Sequence, residues 1–151
     1  MSQVDQDTVL QVQRRIDAPR ERVFDAWTNP DVLRTWWSAM PTMRPGDIEV
    51  DLREGGRYRM AMITDTGEVH TVTGEYKEVR RPERLVYTWT WESNPEEMRG
   101  SSDTIVEVDF EEDGDATNVT LTHRGFADAQ IRDLHTHGWN GTFDSLERAL
   151  A

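Results

Sequence analysis

Side chains alternate between apolar and polar through most of this chain, and at two places the period lengthens to that of a helix. From residue 9 to 16, Leu10, Val12 and Arg14 stand opposite Val9, Gln11, Gln13 and Arg15, which with the Val and Ile content predicts a strand. The period then changes. Pro19 suits the first turn of a helix with Asp17 upstream as its cap, and Val23, Phe24, Ala26 and Trp27 supply its buried stripe. Asn29-Pro30 ends that helix, and Asp31 is placed to cap a second one carrying Val32, Leu33, Trp36 and Trp37.

A long β region follows, beginning at residue 47. Gly55-Gly56 marks a turn or bulge, after which Tyr58, Met60 and Met62 share one face while Arg57 and Arg59 share the other. Residues 65–67 turn the chain, and residues 69–79 run back with His70, Val72, Gly74 and Tyr76 on one side. Arg81-Pro82 breaks the ladder. The clearest alternation is Leu85, Tyr87, Trp89 and Trp91 against Val86, Thr88 and Thr90, and it continues in Val106, Val108 and Phe110, then in Val119, Leu121 and His123. One sheet face is therefore rich in aromatics and methionine, and the other is polar and wetted.

From residue 128 to 150 the period is helical again. Ile131, Leu134, His135, Gly138, Trp139, Thr142, Phe143, Leu146 and Leu150 form one stripe, with Asp128 as the candidate cap. Gly138 and Gly141 each cost such a helix about 1 kcal/mol relative to alanine. An offset is expected, either close approach to a sheet tryptophan or space kept for a ligand. The order strand, two short helices, run of antiparallel strands, long C-terminal helix predicts an α+β domain, a curved sheet of about six to seven strands wrapped around that helix.

Length and charge narrow the picture. The chain has 151 residues and no linker-like segment, so one domain over residues 9–151 is expected, after a disordered stretch at residues 1–8. A formal charge of -12 has the wrong sign for nucleic acid. No apolar run approaches a membrane span and no signal-peptide pattern opens the chain, so a cytoplasmic protein without membrane insertion is expected. Without cysteine, disulfides, thiolate metal sites and cysteine nucleophiles are excluded. There is no G-x-S-x-G elbow, Walker loop or dinucleotide fingerprint, and no cofactor is expected.

Four blocks carry a resemblance: IDAPRERVFDAWTNPDVLRTWW at residues 16–37, EGGRYRM at 54–60, GEYKEVRRPERLVYTW at 74–89 and HGWNGTFDSLERAL at 137–150. The chain resembles the helix-grip superfamily, also called START-like or SRPBCC, and within it the activator of heat-shock-protein-90 ATPase homologue family. The resemblance implies an elongated apolar cavity between the sheet and the long helix. Relatives include lipid and hormone carriers, polyketide cyclases and a co-chaperone domain.

The inward-facing positions then become candidates to hold a small hydrophobic or amphipathic molecule. These are Trp36, Trp37, Met40, Tyr58, Met60, Met62, His70, Val72, Tyr87, Trp89, Val108, Leu121, His123, Trp139 and Phe143. Catalysis is an alternative, cyclase- or hydrolase-like, with His70 and His123 as acid or base and Tyr58 or Tyr87 as hydrogen-bond donor. A further alternative is a protein partner, a chaperone in the manner of the co-chaperones or a second copy meeting the polar sheet face and edge strands. His135 and His137, two apart on a helix, point to different sides and suit surface or capping roles rather than one metal ion. Residues 93–102 form the longest interruption between strands, a candidate gate over the cavity or an ordinary connection.

Overall fold

A computed structural model describes residues 9–93 and 104–151. The expected N-terminal disorder and nearly all of the candidate gate loop lie outside the described residues. The elements are β1 (Val9–Ile16), α1 (Arg20–Thr28), α2 (Pro30–Trp36), β2 (Arg44–Val50), β3 (Arg57–Ile63), β4 (Val69–Arg80), β5 (Arg84–Ser93), β6 (Thr104–Asp113), β7 (Ala116–Arg124) and α3 (Ala129–Leu150).

The seven strands form one sheet in the order β1-β7-β6-β5-β4-β3-β2, antiparallel throughout. The chain after β1 therefore crosses to the opposite edge and returns strand by strand until β7 closes on β1. Val12 meets Leu121 and Leu10 meets His123 in that last pairing. Register shifts at Thr71/Val72 and Tyr76/Glu78 between β4 and β5, and at Pro45/Ile48 between β2 and β3, insert bulges that add bend and twist. The sheet curves around α3 as a result.

Alternation decides which face is dry. Leu85, Tyr87 and Trp89, with Val106, Val108, Phe110, Val119 and Leu121, are buried under the helices. The opposite face carries ion pairs instead: Arg84 meets Asp109 at 2.7 Å and Glu78 at 3.4 Å, and Arg59 meets Glu92 at 2.8 Å. Half-exposed pairs of this kind contribute little individually. They keep that face solvated and charged.

The helix starts differ from expectation in a physically simple way. At α1 the cap position is Pro19 and no side chain bonds the first turn, because Asp17 lies two residues too far upstream. At α2 the cap is Asn29, whose side chain accepts from the Asp31 N–H at 3.0 Å, with Pro30 at the first helical position. Asparagine before proline thus both ends one helix and starts the next. Asp128 caps α3 as expected, accepting from Ile131 N–H at 2.9 Å. The β region also opens earlier than residue 47, at Arg44.

Packing holds α3 at one end of the sheet more tightly than at the other. Arg14 of β1 reaches Asp144 at 2.9 Å and Glu147 at 3.3 Å and lies over the Phe143 ring at 5.5 Å. On the helix's other flank, Ser145 donates to Trp36 O at 2.6 Å. The connection after α2 comes so close that a Cβ on Gly141 would sit 1.8 Å from Ala39 O. This glycine is explained by close approach, as expected, but of the α2–β2 connection rather than of a sheet tryptophan.

Candidate functional site

Between the inner sheet face, α3 and that connection lies a cavity of about 280 Å³. Met62 of β3, His70 of β4, and Trp89 and Trp91 of β5 form its sheet wall. Trp37, Ala39, Met40 and Met43 close it from the connection, and Leu134, His135, His137, Gly138, Trp139 and Thr142 from the helix, with Thr64 at the end of β3. The space exists because the connection leans on α3 at Gly141 and Ser145, whereas near Gly138 it stands off. A Cβ on Gly138 would meet only Ala39 Cβ, at 3.9 Å. The helix glycines therefore divide the two roles expected of them, one for close approach and one for open space.

The walls are aromatic and interlocked. Trp89 packs on Trp139 with centroids 5.0 Å apart, and Trp37 meets Trp89 and Trp139, each at 6.2 Å. The indole N–H groups of Trp37 and Trp89 are buried without an acceptor among the described residues. Each such group costs about 1–3 kcal/mol, a penalty that native cores seldom carry away from a site.

Polar chemistry at the cavity comes from three histidines. His135 is buried in the wall rather than on the surface, since helix positions four apart align it with Ile131 and Trp139 on the packed face. Its Nδ1 bonds Ile131 O at 2.9 Å and its Nε2 accepts from the Trp91 indole at 3.0 Å. Both ring nitrogens are occupied, the proton residing on Nδ1. Burial lowers its pKa, partly opposed by the bond to Ile131 O. The side chains of His70 and His137 have no hydrogen-bond partner among the described residues. His137 is exposed on the helix and lies at the cavity despite its two-residue offset from His135.

His123, expected beside His70, is instead a core residue behind the wall. Its Nδ1 accepts from the Trp139 indole at 3.0 Å and its Nε2 meets the Thr104 hydroxyl at 2.7 Å. Thr104 in turn donates to Trp89 O at 3.1 Å, so His123 donates through Nε2. Burial, reinforced by neighbouring His135, holds its pKa well below the usual histidine range. A neutral imidazole with both nitrogens committed cannot take up a substrate proton without dismantling this network.

The other expected residues divide by position along the sheet. Trp37, Met40, Met62, His70, Trp89 and Trp139 line the cavity. Tyr58, Met60 and Tyr87 surround a separate void of about 10 Å³ with Trp27, Trp37 and Tyr76, room for about one water. Tyr58 donates to Thr88 O at 2.6 Å, and Tyr87 accepts from the Trp27 indole at 3.2 Å. Burial raises the pKa of both phenols, so they are packed neutral groups outside the cavity. Trp36, Val72, Val108, Leu121 and Phe143 fill solid core. Period-two alternation identifies the inward face but not which part of it a helix covers, and α3 with α1 covers the β1-β7-β6 end. The lining residues absent from the expected set, Ala39, Met43, Thr64, Trp91, Leu134, His135, His137, Gly138 and Thr142, come largely from the connection and from α3. Of these, Leu134, His135, Gly138 and Thr142 stand on the helical stripe and Trp91 on the inward strand face of the sequence pattern, so signals for them were present.

A curved antiparallel sheet gripping one long helix, with an apolar cavity between them, defines the helix-grip class. The chain belongs to the family of Activator of Hsp90 ATPase homolog 1-like proteins, whose model matches residues 17–151. Solved structures agree. A protein from Chromobacterium violaceum is 25% identical, with a TM-score of 0.79 over 93% of this chain and 95% of that one. The AHSA1 protein from Silicibacter pomeroyi is 22% identical, with a TM-score of 0.80 over 94% and 96%. The AHSA1-like protein from Aeromonas hydrophila is 24% identical, with a TM-score of 0.74 over 93% and 92%. No curated protein matches the sequence significantly. Among the described residues no helix is long and apolar enough to cross a membrane.

Proposed function

We propose that this protein binds a small, largely apolar molecule in the cavity between β3–β5 and the C-terminal helix. The observation that carries the reading is Gly138. The sequence keeps a glycine inside a 22-residue helix where a methyl group would meet no obstacle, at a cost of about 1 kcal/mol, and the space thereby kept is the cavity. Its volume, about 280 Å³, falls just below the usual range for small-molecule sites, about 300–1,000 Å³. Apolar walls with a few polar groups at the edge are the usual build of such sites, and Met40, Met43 and Met62 supply adaptable surface. The family's fold supports ligand binding in general terms.

Four of the six tryptophans line the cavity, so occupancy is read directly from intrinsic fluorescence. Titration with panels of apolar and amphipathic molecules is expected to give saturable changes and a rise in Tm. Gly138→Leu, which grows a side chain into the cavity from a position with room for it, is expected to remove both while leaving the protein folded. If every panel leaves fluorescence and Tm unchanged, or if Gly138→Leu binds as the parent does, the proposal fails.

A further inference from the structure

We infer that the molecule held in this cavity is a compact, uncharged aromatic carrying a hydroxyl or carbonyl group, and not an ionised lipid. The inference rests on the cavity being a binding site and concerns which chemistry it accepts. Three observations carry it.

The first is charge. Among the described residues, no lysine, arginine, aspartate or glutamate lines the cavity. A carboxylate or ammonium placed among the four indoles would be desolvated with no charged partner among the described residues, a cost that polar contacts cannot return. The overall charge of -12 further disfavours anions. The second is size. The cavity, about 280 Å³, falls just below the usual range of small-molecule sites, about 300–1,000 Å³, so a compact guest suits it. A fused bicyclic ring fits between the indoles of Trp37, Trp89, Trp91 and Trp139, whereas a long acyl chain overruns the space.

The third is the set of uncommitted polar groups. His135 has both nitrogens engaged, the Thr142 hydroxyl donates to Gly138 O at 2.9 Å, and the Thr64 hydroxyl serves Thr66 and the Glu68 N–H, each at 3.0 Å. Besides the indole N–H groups of Trp37 and Trp89, which are buried and can only donate, the side chains of His70 and His137 remain, with no hydrogen bond among the described residues. A neutral imidazole presents one donor and one acceptor nitrogen. It therefore accepts from a phenolic or enolic hydroxyl, or donates to a carbonyl, with no charge required on either side.

The test is isothermal titration calorimetry at pH 7.5 with four probes: 2-naphthol, naphthalene, 2-naphthoate and hexadecanoate. We expect 2-naphthol to bind at one site about tenfold more tightly than naphthalene, the worth of a good hydrogen bond, and both acids to bind at least about tenfold more weakly than 2-naphthol. The double variant His70→Ala/His137→Ala should abolish the preference, so that this variant binds 2-naphthol and naphthalene with about the same affinity. Tighter binding of either acid than of 2-naphthol, or an undiminished preference for 2-naphthol in the double variant, overturns the inferred chemistry and leaves the cavity reading standing. Failure of all four probes to bind overturns both.

Discussion

Replacing Gly138 and Gly141 separately by alanine should move stability in opposite directions, although the two stand three residues apart in the same helix. In a helix interior alanine is favoured over glycine by about 1 kcal/mol. At Gly138 nothing opposes that gain, since the new methyl meets only Ala39 Cβ at the ordinary distance of 3.9 Å. Gly138→Ala should therefore stabilise by about 1 kcal/mol, raising Tm by about 2–4 °C in a domain of this size. At Gly141 the methyl would lie 1.8 Å from Ala39 O and 2.8 Å from Ala39 C. Those are backbone atoms of a connection anchored just upstream by the buried Trp37 and by the Ser145–Trp36 bond, so the clash is relieved only by moving the connection or the helix. Overpacking of this kind costs about 1–3 kcal/mol and occasionally more. With backbone atoms this close the cost falls at the upper end of that range, and set against the same helical gain it leaves a net loss of about 2 kcal/mol and a Tm lowered by about 4–8 °C. Urea unfolding followed by far-ultraviolet circular dichroism measures both. Gains at both positions would show that the connection does not rest on α3, and losses at both would show that the space beside Gly138 is filled.

Acid should weaken the fold through its buried histidines. His123 and His135 have folded-state pKa values lowered by burial, so below an unfolded value of about 6.5 the unfolded chain binds more protons and stability falls with pH. Their contribution is fully present above that value and is lost from about pH 6.5 downward, with a slope of up to about 1.4 kcal/mol per pH unit for each group. Urea midpoints from pH 5 to 8 for the parent and for His135→Gln should converge as pH falls, and parallel curves would contradict the assignment. Trp139→Phe removes the donor to His123 Nδ1 and leaves a void behind the ring, which should cost about 2–4 kcal/mol by chemical denaturation; a loss below about 1 kcal/mol would mean that the indole bond is not a support of the core. Gly74→Ala would place a methyl 1.9 Å from Thr88 O and 2.8 Å from Tyr58 Cε1, and loss of soluble folded protein, or destabilisation beyond about 3 kcal/mol, is expected; a parent-like melt would refute the strand register there.

Much of the architecture is legible in the linear pattern because the forces behind it are local or periodic. Alternation at residues 85–89, 106–110 and 119–123 places the same side chains inward that the structure buries, since a strand's two faces are fixed by its backbone period. The stripe from Ile131 to Leu150 likewise becomes the gripped face of α3, and Asp128 caps it. Where local chemistry offers two solutions the reading slips by a residue or two. Asn29 rather than Asp31 caps α2, because proline at the first helical position sets the frame one residue earlier than the acid suggests.

The candidate site was harder to read. An inward face is a sequence property, but a cavity is the part of that face left uncovered, and this depends on where distant segments come to rest. His123 and His70 look equivalent in the alternation; only the packing of Trp139 and Thr104 commits one to the core. His135 joins the cavity wall because Trp91, on a strand forty-four residues away, donates to it. The sequence alone determined the strands, the helices, their buried faces and the class of fold, because backbone periodicity and hydrophobic burial act along short stretches of chain. The tertiary structure decided that Gly141 is a contact, that Gly138 is an opening, and that a cavity of about 280 Å³ lies beside it. Those are differences of a few ångströms between segments brought together by folding, which no local pattern records.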